Sequence, residues 1–441
     1  MMKKDYTLVF NAHLVDAELD VPNGAVLICD GKIAGFPSKE AVKEMLSDDN
    51  IDSFDAKGLM VMPAFIDMHA HFRDPGLTQK EDIVSGSKAA AAGGYGTVVL
   101  MPNTKPVISS QKAALENNKK ASEAGFADVI QSVSITKDFD GKTVSHLDSL
   151  DSKKVPLITE DGKEVCDSSV MLKAMQKAAQ KNLIVSCHCE DPFLAGEAKI
   201  WRKKALDILN KNKTLSAAQK KEAAGYLKKA NELLRTAENS MTVRNLELAE
   251  IAKCRIHLCH VSTQEACFAL WLAKKSGAKV TAEVTPHHLA LTGEKAPSIF
   301  NIVNPPLREE IDRTFCIDAL KNGLIDVIST DHAPHTEADK KSGAPGFSGL
   351  ETAFAVCNTI LVKENHFTLQ KLSALMSANA ARILGLKDRG FLQEGMRADL
   401  VLVDPDKQWT VRGKDFVSKG KFTPFEGKKL SGKVIGMFLG K

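Results

Sequence analysis

Eight short apolar, β-branched runs, separated by stretches of helical periodicity, constrain this chain more than any other feature. The runs cover residues 59–68, 96–101, 127–135, 155–159, 183–187, 255–259, 279–284 and 326–330. Between them, segments such as 170–181, 263–275 and 309–322 repeat apolar residues at the three-to-four spacing of an amphipathic helix. Strands alternating with helices predict a parallel sheet. Eight such units within residues 63–387 predict an α/β fold of the closed (β/α)8 TIM-like kind, since a barrel of this type needs about 250 residues.

Two segments fall outside the alternation. Residues 1–62 hold short strand-like runs (Thr7-Leu8-Val9-Phe10, Ala25-Val26-Leu27-Ile28-Cys29 and Lys32-Ile33-Ala34), with Asp30-Gly31 as a turn. Residues 388–441 read likewise, 399–403 and 433–438 being the clearest examples. The two ends are expected to pair into one small β-sandwich domain. Residues 197–236, rich in Lys, Ala, Leu and Glu, predict an exposed helical insertion whose charges form a solvated face.

Composition serves mainly to exclude. A hydrophobic fraction of 44% and a charged fraction of 26% are those of a globular protein. No stretch reads as a bilayer span, and no secretory apolar region follows Met1. Nine cysteines, an odd number spread over a long chain, argue against a disulfide framework and fit a reducing cytoplasm. Cys187 and Cys189, a lone C-x-C, read as buried core thiols. A net charge of +4 is too small to imply a nucleic-acid partner.

Chemistry in an eight-stranded α/β barrel sits at the carboxyl ends of the strands. The residues there are His69-Ala70-His71-Phe72-Arg73-Asp74, Pro102-Asn103-Thr104, Thr136-Lys137, Glu160-Asp161-Gly162, His188-Cys189-Glu190, His260-Val261-Ser262, Pro286-His287-His288 and Asp331-His332-Ala333-Pro334-His335. Eight of the twelve histidines fall in this set, far more than chance placement gives. His69 and His71 are two apart on a strand and share a face. With His188, His260 and Asp331 at other strand ends they form a metal-ligating set. Nitrogen and carboxylate ligands without thiolate suit Zn²⁺, with Mn²⁺, Fe²⁺ or Co²⁺ as alternatives. Five ligands exceed one tetrahedral set, which implies two ions. Two ions about 3.5–4 Å apart can hold a hydroxide between them and polarise a carbonyl. Alternation assigns His257 and His332 to the opposite face, toward the helices, in structural roles.

Several of these segments resemble class I bacterial dihydroorotases, a branch of the amidohydrolase superfamily. They are Pro63-Ala64-Phe65-Ile66-Asp67-Met68-His69-Ala70-His71-Phe72-Arg73-Asp74-Pro75-Gly76, Met101-Pro102-Asn103-Thr104, Cys259-His260-Val261-Ser262-Thr263, Ala282-Glu283-Val284-Thr285-Pro286-His287-His288, Asn304-Pro305-Pro306-Leu307-Arg308 and Thr330-Asp331-His332-Ala333-Pro334-His335. The resemblance covers nearly the whole chain, with 197–236 its poorest match. It implies one metal held by His69, His71 and Asp331, a second held by His188 and His260, and a bridging carboxylate. The branch resembled carries the bridge in an Asp-Asp-Gly sequence where this chain has Glu160-Asp161-Gly162. Asp161, which precedes the glycine, is the expected bridge, with Glu160 as the alternative.

The resemblance further implies that Arg73, Asn103 and Asn304 hold a substrate carboxylate, helped at the ring by His71 and His335 and by backbone groups near Pro345 and Gly346. The implied reaction is reversible hydrolysis of L-dihydroorotate to N-carbamoyl-L-aspartate in pyrimidine synthesis, with Asp331 as general base and then acid. Related cyclic amidases (hydantoinases or dihydropyrimidinases, and allantoinases) are the alternative enzymes, and a catalytically silent scaffold subunit is the non-enzymatic one. For assembly, a homodimer or association with aspartate transcarbamoylase is compatible with the resemblance; no residue decides between them.

Overall fold

The structure is a computed structural model that describes residues 5–211, 214–293 and 301–440. Its central feature is a ring of parallel strands: β1 (Phe65–Ala70), β2 (Tyr95–Leu100), β3 (Asp128–Gln131), β4 (Leu157–Thr159), β5 (Ile184–Cys187), β6 (Arg255–Leu258), β7 (Val280–Val284) and β8 (Val327–Ile328). β1, β2 and β3 pair in that order. The third run breaks at Ser132, and its continuation Val133–Ser134 pairs with β4, from which pairing proceeds in sequence to β8. A parallel bridge between Ala70 and His332, with the His71 amide donating to the His332 carbonyl at 2.8 Å, closes the circle. All eight expected strands form, the first shorter than its apolar run because Met60–Pro63 joins a different sheet.

Alternation along the strands divides the two faces. In β5, Val185 and Cys187 enter the large apolar core with helix residues such as Ala89, Met171 and Met175, whereas Ser186 turns to the Cys259 thiol at 2.9 Å. The surrounding helices begin where side chains can satisfy their first amide groups. Asp167 accepts from Ser169 and Val170 to open Ser168–Lys181, and Thr263 accepts from Ala266 to open Gln264–Lys275. Gly125, at φ +79°, ends Gln111–Ala124 in the left-handed conformation that suits glycine.

Strands from both ends of the chain form one seven-stranded sheet. Tyr6–Val15 pairs with Asp20–Cys29, Ile51–Asp55 and Met60–Pro63; the last of these pairs with Leu400–Thr410, which pairs with Lys429–Phe438. Asp30 and Gly31, both at positive φ, make the expected tight turn into Lys32–Gly35. All nine cysteines are free, and Cys187 and Cys189 are buried. Among the described residues, no helix is long and apolar enough to cross a membrane.

The helical insertion is a hairpin of two helices, Pro192–Lys211 and Ala217–Ala252, packed on each other through Ala198, Ala230 and Leu234. Among the described residues of 197–236 the charges lie mostly on a solvated face, as expected, with Arg202 buried and Arg235 half-buried; the main anchor lies just beyond those bounds. Glu238 of the longer helix accepts from the Arg308 guanidinium at 2.8 Å and from the Ser262 amide at 2.8 Å, and both charged residues are only 4% exposed. Removing one partner of a buried pair strands the other and costs about 3–5 kcal/mol. Glu238→Ala is therefore expected to lower unfolding stability by about that amount in a denaturant titration, and Glu238→Gln by less. A loss below about 1 kcal/mol for the alanine variant would contradict this anchoring role.

Candidate metal centre

The six expected ligands converge at the carboxyl ends of the strands. From β1, His69 Nε2 lies 3.1 Å from Asp161 Oδ1 and 3.6 Å from Asp331 Oδ1. His71 Nε2 lies 3.1 Å from Asp331 Oδ1 and 3.4 Å from Asp161 Oδ2. On the other side, His188 Nδ1 is 3.3 Å from Asp161 Oδ1 and 2.9 Å from His260 Nε2. Asp161 thus touches ligands of both expected ions. Glu160 points elsewhere, its carboxylate accepting from the amide and hydroxyl of Thr136 at 2.7 and 2.5 Å. All six side chains are buried.

The donor atoms fit divalent cations. His69 Nε2 and Asp161 Oδ1 face each other at 3.1 Å, yet neither has a hydrogen-bond partner, and His188 Nδ1, 3.3 Å from the same Asp161 oxygen, meets His260 Nε2 at 2.9 Å. Leaving a buried polar atom unsatisfied costs about 1–3 kcal/mol, so an unpartnered pair like this is explained by something that takes their lone pairs. The second layer keeps those lone pairs available. His69 Nδ1 donates to Glu283 Oε1 at 2.7 Å, and His71 Nδ1 to Asn103 Oδ1 at 3.0 Å, leaving each Nε2 free to ligate. Asn103 also donates to Asp161 Oδ2 at 3.1 Å, so both ends of its amide orient ligands.

Electrostatics follow the same arrangement. Burial opposes charge on Asp161, but His69 and His71 outweigh it and hold this carboxyl well below the usual range. Asp331 is likewise lowered, against burial, by His71, His69 and His260. Burial, then His188 and His69, push His260 down to about 3, which keeps it neutral as a ligand must be. His260 and Asp331 sit at φ +33° and +47°, a left-handed backbone that costs about 1–3 kcal/mol per residue. Their strands have ended, and the strained turns aim both side chains inward.

That geometry corrects the expectation for His257. Alternation counted back from His260 turned it toward the helices, but His260 lies beyond the regular strand. His257 shares a face with its register partner Thr281, bonding Thr281 Oγ1 at 2.8 Å and Glu283 Oε2 at 3.0 Å. It stands inside the barrel, bracing the carboxylate that orients His69. His332 is structural as expected, its Nδ1 accepting from the Gly349 amide at 3.1 Å.

The expected substrate residues gather beside the cluster. Arg73 Nη2 lies 3.4 Å from His335 Nε2, and the Arg73 Nε is buried without a partner. His335 approaches the Pro345 carbonyl at 2.9 Å; burial, then Arg73 and Lys80, push its pKa down to about 3. Gly346 hydrogen-bonds Ile302 at 3.0 Å, two residues before Asn304. The Asn304 amide is already engaged, accepting from Arg202 at 2.6 Å and donating to Glu190 at 2.8 Å. Sequence reasoning gave no role to Glu283, Glu190, Arg202 or Lys340. Two of them offered a signal: Glu283 as a carboxylate within the apolar strand β7, and Glu190 by its place at the end of the fifth run.

The family's sequence profile, described as Amidohydrolase family, matches residues 60–440. The chain belongs to the amidohydrolase family. A dihydroorotase of Clostridium botulinum is 42% identical over 429 residues, covering 97% of this chain and 96% of the relative. A dihydroorotase of Clostridium acetobutylicum is 40% identical over 396 residues, 88% of each. Among solved structures, L-hydantoinase (dihydropyrimidinase) from Arthrobacter aurescens superposes with a TM-score of 0.85 at 24% identity, covering 98% of this chain and 94% of that one. D-hydantoinase (dihydropyrimidinase) from Thermus sp. gives 0.79 at 23%, with 98% and 94% covered. The two solved structures share the fold of this chain, and the two relatives named dihydroorotase are nearer to it in sequence.

Because Asp161 touches ligands in both halves of the cluster, Asp161→Asn should reduce the divalent metal bound per purified chain by at least one ion, read by elemental analysis. Glu160→Gln should leave it unchanged. Equal losses in the two variants would contradict the assignment of the bridge to Asp161.

Proposed function

We propose that the chain is a dihydroorotase, catalysing reversible hydrolysis of L-dihydroorotate to N-carbamoyl-L-aspartate, the ring-closing direction serving pyrimidine synthesis. The observation that carries this reading is a guanidinium with a buried, unpartnered Nε, Arg73, beside a six-residue metal-ligating cluster. A planar guanidinium matches a carboxylate in a bidentate fork. Hydantoin, the substrate class named for the structural neighbours, carries no such carboxylate to occupy it. The dihydroorotase relatives at 36–42% identity support the same choice.

His69, His71 and Asp331 would hold one divalent ion, His188 and His260 a second, and Asp161 both; the nitrogen and carboxylate set suits Zn²⁺. Bound there, such ions supply Lewis acidity and a nucleophilic water at neutral pH. Asp331, whose carboxyl stays ionised through its histidine neighbours, accepts the proton of the attacking water. It then returns that proton to the ring nitrogen as the carbon–nitrogen bond breaks. In reverse, the same carboxyl group serves ring closure. Arg73 holds the substrate carboxylate, with Asn103 and Asn304 at the same pocket. His335, kept neutral, and the backbone at Pro345 and Gly346 border the ring.

Asp331→Asn should lower turnover of L-dihydroorotate by about 10²–10⁴-fold, the range for loss of a positioned acid–base group, with the fold retained by circular dichroism. Near-normal turnover would refute the assigned role. Arg73→Ala should raise KM for L-dihydroorotate roughly 10- to 100-fold, from loss of about 1.5–3 kcal/mol of charge-assisted bonding. Wild-type protein that prefers hydantoin or allantoin over L-dihydroorotate would overturn the substrate assignment.

A further inference from the structure

Three consecutive residues of the expected substrate loop, Ile302, Val303 and Asn304, are held by buried cations from two elements outside the barrel strands. Arg202 lies on the hairpin helix Pro192–Lys211 and is 8% exposed. Its Nη1 donates to Asn304 Oδ1 at 2.6 Å and its Nη2 to the Val303 carbonyl at 3.0 Å. Lys340, on the short helix Glu337–Lys341, is wholly buried. Its Nζ donates to the carbonyls of Gly346 at 2.7 Å, Ala344 at 2.9 Å and Ile302 at 3.3 Å. Three acceptors match the three donors of an ammonium group.

These bonds tie the pocket's loops into one network. Lys340 clamps the 344–346 segment against Ile302, and the Gly346 amide donates to the same Ile302 carbonyl at 3.0 Å. Gly346, at φ +114°, has no room for a side chain, since a Cβ would lie 2.5 Å from that of Ala333. The other end of the Asn304 amide donates to Glu190, two residues from His188.

We propose that Arg202 and Lys340 are positioning residues for the substrate carboxylate pocket, and that the helical hairpin exists in part to deliver Arg202 to Asn304. Neither residue takes part in the proton transfers. They fix the loop that the substrate meets, so their loss acts on binding first. This inference rests on the dihydroorotate reading of the site.

Steady-state kinetics with L-dihydroorotate on the metal-loaded full chain tests it. Arg202→Ala should raise KM about tenfold, the equivalent of roughly 1.4 kcal/mol, while kcat changes less than about threefold and metal content is unchanged. Lys340→Met should shift KM in the same direction. In an Asn304→Ala background, Arg202→Ala should add less than about twofold, because a residue acting through Asn304 has nothing left to position. An unmoved KM in Arg202→Ala, or a full multiplicative effect in the Asn304→Ala background, overturns the proposal. Should Arg202→Ala fail to fold, Arg202→Lys carries the test, with an expected KM rise of about threefold, and an unchanged KM is a refutation. A wild-type chain inactive on L-dihydroorotate overturns the function itself. An active wild type with unmoved variants overturns only the positioning role.

Discussion

The Asp161 carboxylate, packed among His69, His71 and His188 at 3.1–3.4 Å, is the interaction on which the rest of the structure depends. An ionised carboxylate in a buried setting is tolerated only where opposite charge surrounds it. Imidazoles supply part of that charge, at the expense of leaving His69 Nε2 and Asp161 Oδ1 without hydrogen bonds. Divalent cations resolve both problems at once, because each lone pair gains a partner and the carboxylates gain counter-charge. The barrel's task is to bring side chains from β1, β4, β5, β6 and β8 to that point.

Ligand placement alone would leave the imidazoles free to rotate. A second layer removes that freedom: Glu283 receives His69 Nδ1, His257 and the backbone amide of His260. Asn103 does the same for His71 and Asp161. Asp67 fastens the end of β8 to β1 through the amide and hydroxyl of Thr330 at 2.9 and 2.5 Å. Held at so many points, the left-handed backbones of His260 and Asp331 persist despite their cost. A site preorganised in this way spends little free energy on rearrangement when substrate arrives.

Much of this was legible in the sequence. The eight apolar runs correspond to the eight barrel strands because β-branched runs between capped helices leave few other folds. The histidines stood out because they cluster where each run stops. His257 was misjudged because strict alternation fails once His260 leaves the strand at positive φ. Arg202 left no trace, since one inward-facing arginine in a lysine-rich helix looks like its solvated neighbours. Lys340 was hidden for the same reason: its three carbonyl partners come from Ile302, Ala344 and Gly346, and only tertiary folding brings them together. Local pattern records which face an element buries; it does not record which distant loop that face meets.

A pair of cations enclosed by the six side chains is visible to anomalous diffraction from crystals of the metal-loaded protein, collected at the metal's absorption edge. The expected result is two peaks about 3.5–4 Å apart, both within ligating distance of the Asp161 carboxylate. A single peak, or two peaks that do not share Asp161, would contradict it.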